Sequence, residues 1–236
     1  MRERPSPNFD ERPPGQAVDI LLLHYTEMES AAAALERLCD PAAKVSAHYL
    51  IAADGTVWRL VEEGRRAWHA GLASWAGARD INARSIGIEL DNPGHALGLA
   101  PFPEPQMAAL ERLARNILAR HPIPRHRVLG HSDVAPARKR DPGELFEWRR
   151  LAAAGIGLWP AAPDPSPAAP TPAEVRALLA HFGYEIGSGG PDALDETTRL
   201  ALVAFQRHFR PARVDGRADA ETTDLLRAVA AAVPPP

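Results

Sequence analysis

At 236 residues and 45% hydrophobic content the chain is long enough for one sizeable core and a small second one. A formal net charge of −3 gives no general attraction to nucleic acid or to an anionic membrane. No apolar stretch approaches transmembrane length, and the single cysteine, Cys39, excludes an intrachain disulfide framework.

The first strong element is VDILLLHY, an uninterrupted apolar run between Gly15 and Glu27 that predicts a buried central strand near 18–24. His24 stands at the C-terminal end of that strand, where it faces a cleft. ESAAAALERLCD predicts a helix near 29–39 with Leu35 and Leu38 turned inward and Cys39 as a small buried hydrophobe. Strands near 47–52 and 56–61 flank ADGT, a hairpin turn. SIGIEL predicts a strand near 86–91, in which Glu89 among Ile86, Ile88 and Leu90 must reach a cleft or bear an unpaired burial cost. Partial burial would raise its pKa towards the range of a working base. The alternative is a Glu paired with a neighbouring Arg. A helix near 104–120 carries Met107, Leu110, Leu113, Ile117 and Leu118 at helical spacing. RVLG then predicts a short strand near 127–131 that delivers His131.

The segment HRVLGHSDVAPARKRDPG gathers His131, Asp133, Lys139 and Asp141 on one Pro- and Gly-punctuated loop, which lets Asp141 swing back towards His131. A catalytic zinc takes three protein ligands and leaves a position for water, so a third ligand is needed, and His24 is the best candidate. Such a site also needs a proton acceptor and a positive group for the oxyanion, roles that suit Glu89 and Lys139. Lys139 lies two residues before Asp141, so in an extended loop both side chains point the same way. Its alternative is one more solvated charge in the run RKR. His95, His121, His126, His181 and His208 read as structural or solvated.

After LWP at 158–160 comes AAPDPSPAAPTP, a Pro/Ala stretch that predicts an extended linker over 160–170 between a first domain, 1–159, and a second, 171–236. In the second, Thr171 is a candidate N-cap with Pro172 at the first helical position and Glu174 at the capping-box position. DETTRLALVAFQRHF and DAETTDLLRAVAAAV each open on an Asp N-cap, giving with the first helix a three-helix bundle. Leu200, Val203, Phe205 and Phe209 are its expected core residues, and Gly183, Gly187, Gly189 and Gly190 make the first connection flexible. The fold class is α/β, a mixed central sheet flanked by helices plus this bundle.

The succession LLLHYT, VSAHYLI with ADGTVWRL, AWHAG, INARSIGIEL and GHSDVAPARKRDPG resembles the zinc-dependent N-acetylmuramoyl-L-alanine amidases of the type-2 amidase family, in the family's order over roughly 15–150. The resemblance implies one zinc ion held by His24, His131 and Asp141, with Glu89 and Lys139 completing the catalytic set. It implies as substrate the amide joining N-acetylmuramic acid to the L-alanine of a peptidoglycan stem peptide. Within it, Trp68 and His69 line the substrate cleft and His48 supports the site by hydrogen bonding. Arg84, where relatives carry a small or apolar residue, would clamp a stem-peptide carboxylate or remain a surface Arg. The second domain resembles the small peptidoglycan-binding domain appended to wall hydrolases.

The start, MRERPSPNFDERPPG, has no apolar core and no small-residue cleavage site. With Met1 as the natural start, the expectation is a cytoplasmic enzyme acting on muropeptide fragments in cell-wall recycling; a trimmed chain would leave the periplasm and polymeric peptidoglycan open. Two other functions compete: a non-catalytic muropeptide receptor, which the complete metal triad disfavours, and a zinc peptidase acting within the stem.

Overall fold

The computed structural model describes residues 1–162, 170–190 and 192–234, so most of the expected Pro/Ala linker lies outside the described residues. The strands are β1 (Arg2–Glu3), β2 (Phe9–Glu11), β3 (Ile20–Tyr25), β4 (Tyr49–Ile51), β5 (Val57–Arg59), β6 (Arg65–Ala67), β7 (Ser85–Leu90) and β8 (Val128–Gly130). The helices are α1 (Ala31–Cys39), α2 (Ile81–Arg84), α3 (Gly94–Leu97), α4 (Glu104–Arg120), α5 (His131–Val134), α6 (Trp148–Ala153), α7 (Pro172–Phe182), α8 (Glu196–Phe209) and α9 (Ala220–Ala231). One sheet has the order β1-β5-β4-β7-β3-β8, and β2 pairs with β6 in a separate ribbon. The β4–β5 hairpin is antiparallel, whereas β4, β7, β3 and β8 run parallel, so the sheet is mixed.

β3 is buried along its whole length because both faces of the sheet are covered. Leu21, Leu23 and Tyr25 join Ile86, Ile88 and Leu90 under Met107, Leu110, Leu113 and Ile117 of α4. Ile20, Leu22 and Leu129, on the opposite face, join Val175, Leu179, Phe182 and Phe205 of the C-terminal helices in a second core. The parallel register sets His24 beside Glu89, with Leu22 beside Gly87 and Ile20 beside Ser85. Side chains alternate along a strand, so Ser85, Gly87 and Glu89 share the face of His24.

The N-terminal residues, which carry no strand signal, are part of the fold. β1 extends the sheet on β5, the Ser6 hydroxyl donates to Leu38 O at 2.6 Å, and Asn8 Nδ2 donates to Asp40 O and Val45 O at 2.8 Å each. Cys39 is only partly buried, with Sγ 3.5 Å from Arg4 O, rather than a core hydrophobe. In the C-terminal bundle, Thr171, Asp195 and Asp219 cap their helices by accepting from Glu174 N, Thr198 N and Thr222 N at 3.2, 2.8 and 3.0 Å. Glu174, at the capping-box position, also pairs with Arg227 at 2.7 Å. The core stripe of α8 is Ala201, Leu202, Phe205 and Phe209, and the expected Leu200 and Val203 lie at its margin, half-buried. The Gly-rich connection is tied down, with Gly189 N donating to Asp195 Oδ2 at 2.8 Å. No helix among the described residues is long and apolar enough to cross a membrane.

Candidate metal centre

The C-terminal edges of β3, β7 and β8 open on a cleft of about 350 Å³ lined by His24, Trp68, His69, Glu89, His131, Lys139 and Asp141, with Tyr25, Arg138 and Arg140 around them. His24 lies one residue before the end of β3, and His131 begins α5 directly after β8. The loop after α5 folds back so that Asp141 O accepts from Ser132 N at 2.9 Å. That return brings Asp141 Oδ2 to 3.0 Å from both His24 Nδ1 and His131 Nδ1, which are themselves 3.0 Å apart. All three residues are buried.

The hydrogen bonds on the far side of each ring fix the tautomers. His131 Nε2 lies 3.0 Å from Ala70 O, a carbonyl that can only accept, so the proton is on Nε2 and the Nδ1 lone pair faces the cluster. For His24 the same result follows from a longer chain. The Ser85 hydroxyl donates to Ile81 O at 2.7 Å and so accepts from His69 Nε2 at 3.3 Å, leaving His69 Nδ1 to accept from His24 Nε2 at 3.0 Å. His24 Nδ1 is therefore also a lone pair. Burial, reinforced by the neighbouring His131, lowers the His24 pKa to about 4, and burial with the adjacent His24 and His48 holds His69 well below the usual imidazole value.

Two imidazole lone pairs and a carboxylate thus converge with no proton of their own between the two nitrogens. That arrangement suits a cation. His24 Nδ1, His131 Nδ1 and Asp141 Oδ2 would hold it, a donor set of two nitrogens and one oxygen of the kind that binds zinc.

Glu89, beside His24 in the sheet, has its Oε2 buried with no hydrogen-bond partner among the described residues. Burial first, then the Asp141 charge, raises its pKa well above 4.5, and Lys139 opposes the rise. Among the described residues no Arg pairs with it. Lys139 lines the same cleft and forms no ion pair among the described residues. Trp68 forms part of the wall, with Nε1 donating to Asp10 Oδ2 at 2.7 Å.

The structure corrects two expectations. Arg84 lies at the opposite end of β7 from Glu89 and outside the cleft, its guanidinium bound in two places by Asp19, which Arg127 shares. It cannot clamp a substrate there. His48, expected to support the site, instead accepts from Gly87 N at 2.9 Å and sits 3.1 Å from Arg65 O, away from the ligand set, whereas His69 both lines the cleft and supports His24 directly. Gly87 makes this possible. A Cβ there would lie 2.5 Å from His69 Nδ1, so the missing side chain is the seat of the imidazole. The polar row Ser85, Gly87, Glu89 in an otherwise apolar strand was the available signal.

Residues 14–144 match the N-acetylmuramoyl-L-alanine amidase family, and 169–226 match a peptidoglycan binding domain. The chain is 39% identical to the N-acetylmuramoyl-L-alanine amidase AmiD of Escherichia coli strain K12 over 96% of its own length and 89% of the relative's. It also superimposes on the E. coli AmiD complex with the substrate anhydro-N-acetylmuramic acid-L-Ala-D-gamma-Glu-L-Lys, with a TM-score of 0.80 and 35% identity over 94% of this chain and 96% of that one. AmpDH3 from Pseudomonas aeruginosa in complex with anhydromuramic pentapeptide gives 0.79 and 34% identity, covering 95% and 94%.

Proposed function

The chain belongs to the N-acetylmuramoyl-L-alanine amidase family, and on that premise we propose that it uses zinc to release stem peptides from muropeptides, cutting the amide between N-acetylmuramic acid and L-alanine. The observation that carries the reading is the convergence of two imidazole lone pairs and a carboxylate oxygen, each 3.0 Å from the others, beside an unpartnered buried carboxyl. Two nitrogens and one oxygen are a donor set that suits zinc and leaves a position open. Zinc, when bound, supplies polarisation of the scissile carbonyl and a water acidic enough to ionise near neutrality.

Glu89 takes the proton of the attacking water and returns it to the leaving L-alanine amine. Its high affinity for a proton in the apolar strand suits it to hold that proton between the two steps. The Lys139 ammonium stands at the cleft for the oxyanion that develops on the carbonyl. His69 holds the His24 tautomer, and Trp68 offers a flat wall to sugar or peptide.

The anhydromuramyl peptides in the two solved relatives point to 1,6-anhydro muropeptides as substrates for this chain, and to a place in cell-wall recycling. The catalytic unit is taken as 1–159 and the peptidoglycan-binding-like unit as 171–236, in keeping with the two family matches. Mass spectrometry of an anhydro-muropeptide digest tests the activity. Free anhydro-N-acetylmuramic acid with an intact stem peptide is expected; cleavage between stem residues would replace the amidase with a peptidase.

A further inference from the structure

We propose that the C-terminal bundle is a positioning element of the metal centre, with Tyr184, His208 and Arg207 gripping both ends of the segment 131–144 that carries His131, Lys139 and Asp141. At the front end the grip is on Asp133, whose side chain is wholly buried. Its Oδ2 accepts from Gly130 N at 2.8 Å and from His208 Nδ1 at 2.9 Å, and its Oδ1 accepts from the Tyr184 hydroxyl at 2.6 Å. The Gly130 contact caps α5, the short helix that His131 begins, so what orients Asp133 orients a metal ligand two residues away. At the back end Arg207 lies 3.5 Å from Glu144, which also accepts from His95 Nε2 at 2.9 Å. His95 Nδ1 in turn accepts from Tyr25, the neighbour of His24, at 2.7 Å.

The gripping residues are adjacent on α8 or packed beside it, and their setting is rigid. His208 stacks on Trp148 at 3.7 Å, and Tyr184 meets Trp75 edge-on at 5.0 Å. Gly183 O accepts from Ala76 N at 2.8 Å, and a Cβ on Gly183 would lie 2.5 Å from the Trp75 ring. Polar Arg207 and His208 are both buried at the end of α8, a cost that a bundle hanging freely on a tether would not bear. An independently moving wall anchor does not share a core with β3 and bind a carboxylate next to a metal ligand.

The inference rests on the zinc reading, and its test reads metal affinity as well as turnover. Tyr184→Phe removes one hydroxyl and keeps the packing; Tyr184→Phe with His208→Phe removes both front donors and keeps an aromatic ring at position 208. Arg199→Ala, in an exposed pair on the outer face of α8, is the control. Zinc dissociation constants are measured on full-length protein by chelator competition, with kcat and KM on a soluble anhydro-muropeptide and thermal unfolding alongside. The double variant is expected to bind zinc at least tenfold more weakly and to lose kcat with KM nearly unchanged, Tyr184→Phe to lose less, and Arg199→Ala to lose nothing. A folded double variant with zinc affinity and kcat within twofold of the parent would overturn the grip while leaving the metal site standing. A parent chain that binds no zinc would overturn both. Loss of polymeric peptidoglycan binding with the metal centre unchanged would also overturn it, assigning the bundle to the wall alone.

Discussion

Replacing Gly87 by alanine adds one methyl group to the central sheet, at a site where the strand conformation itself accepts any residue. The new Cβ would lie 2.5, 2.6 and 2.7 Å from His69 Nδ1, Cγ and Cε1. Ordinary contact begins near 3.4 Å, so the ring must recede by about 0.9 Å. His69 is held between His24 Nε2 at 3.0 Å and Ser85 Oγ at 3.3 Å, and a recoil of that size takes the His24 contact beyond hydrogen-bonding range. His24 then loses the partner that keeps its proton on Nε2 and its lone pair on the metal side. Loss of such support costs roughly 10–100-fold in metal affinity, about 1.4–2.7 kcal/mol. Overpacking adds about 1–3 kcal/mol of destabilisation. Chelator competition on the purified variant reads the first quantity and denaturant unfolding the second, with Gly64→Ala, where a methyl meets nothing within 4 Å, as control. A folded Gly87→Ala protein whose zinc affinity stays within twofold of the parent would refute the role given to His69.

Glu89→Gln is expected to keep zinc and lose turnover by about 10²–10⁴-fold, read by metal analysis and kcat together; retained turnover would remove Glu89 from the proton-transfer role. His131→Ala or Asp141→Ala should lose metal and activity together, since each leaves two donors; stoichiometric zinc in either variant would contradict the ligand set. Arg84→Ala should leave KM unchanged and lower stability by about 1 kcal/mol, because its partner is Asp19, and a KM effect would return it to the substrate. Acid stability should carry the signature of His48, whose pKa burial and the nearby Arg12 lower from 6.5 to about 3. The unfolded chain takes up that proton below 6.5 and the folded chain resists until about 3, so this stabilisation is present above pH 6.5 and is lost as pH falls through the window. The slope is at most about 1.4 kcal/mol per pH unit, and His48→Gln should flatten it; an unchanged slope of unfolding free energy against pH would exclude His48 as its source.

The two central strands and the placing of the cleft were legible because β3 and β7 are short apolar runs that carry His24 and Glu89 one residue from their C-terminal ends. A His or Glu near the end of such a strand has few places to go but the cleft at its edge. Arg84 was misread for the complementary reason: it precedes the same strand, and only the parallel register of β7 beside β3 puts it at the far end, next to Asp19. His48 and His69 could not be ranked from their motifs, since the choice depends on the space above Gly87, a residue distant from His69 in sequence. The docking of the bundle was hidden in polar letters. Nothing in the sequence sets Arg207 and His208 apart from a solvated helix end, and their burial depends on Asp133 and Glu144 arriving from the other unit.

The measurement that bears most directly on the zinc amidase account is reconstitution: metal-free protein titrated with zinc while stem-peptide release from an anhydro-muropeptide is followed. Cleavage rising linearly and breaking at one zinc per chain, absent from Asp141→Ala, is the predicted result. Full cleavage by the metal-free protein, or none at any zinc level, would contradict it.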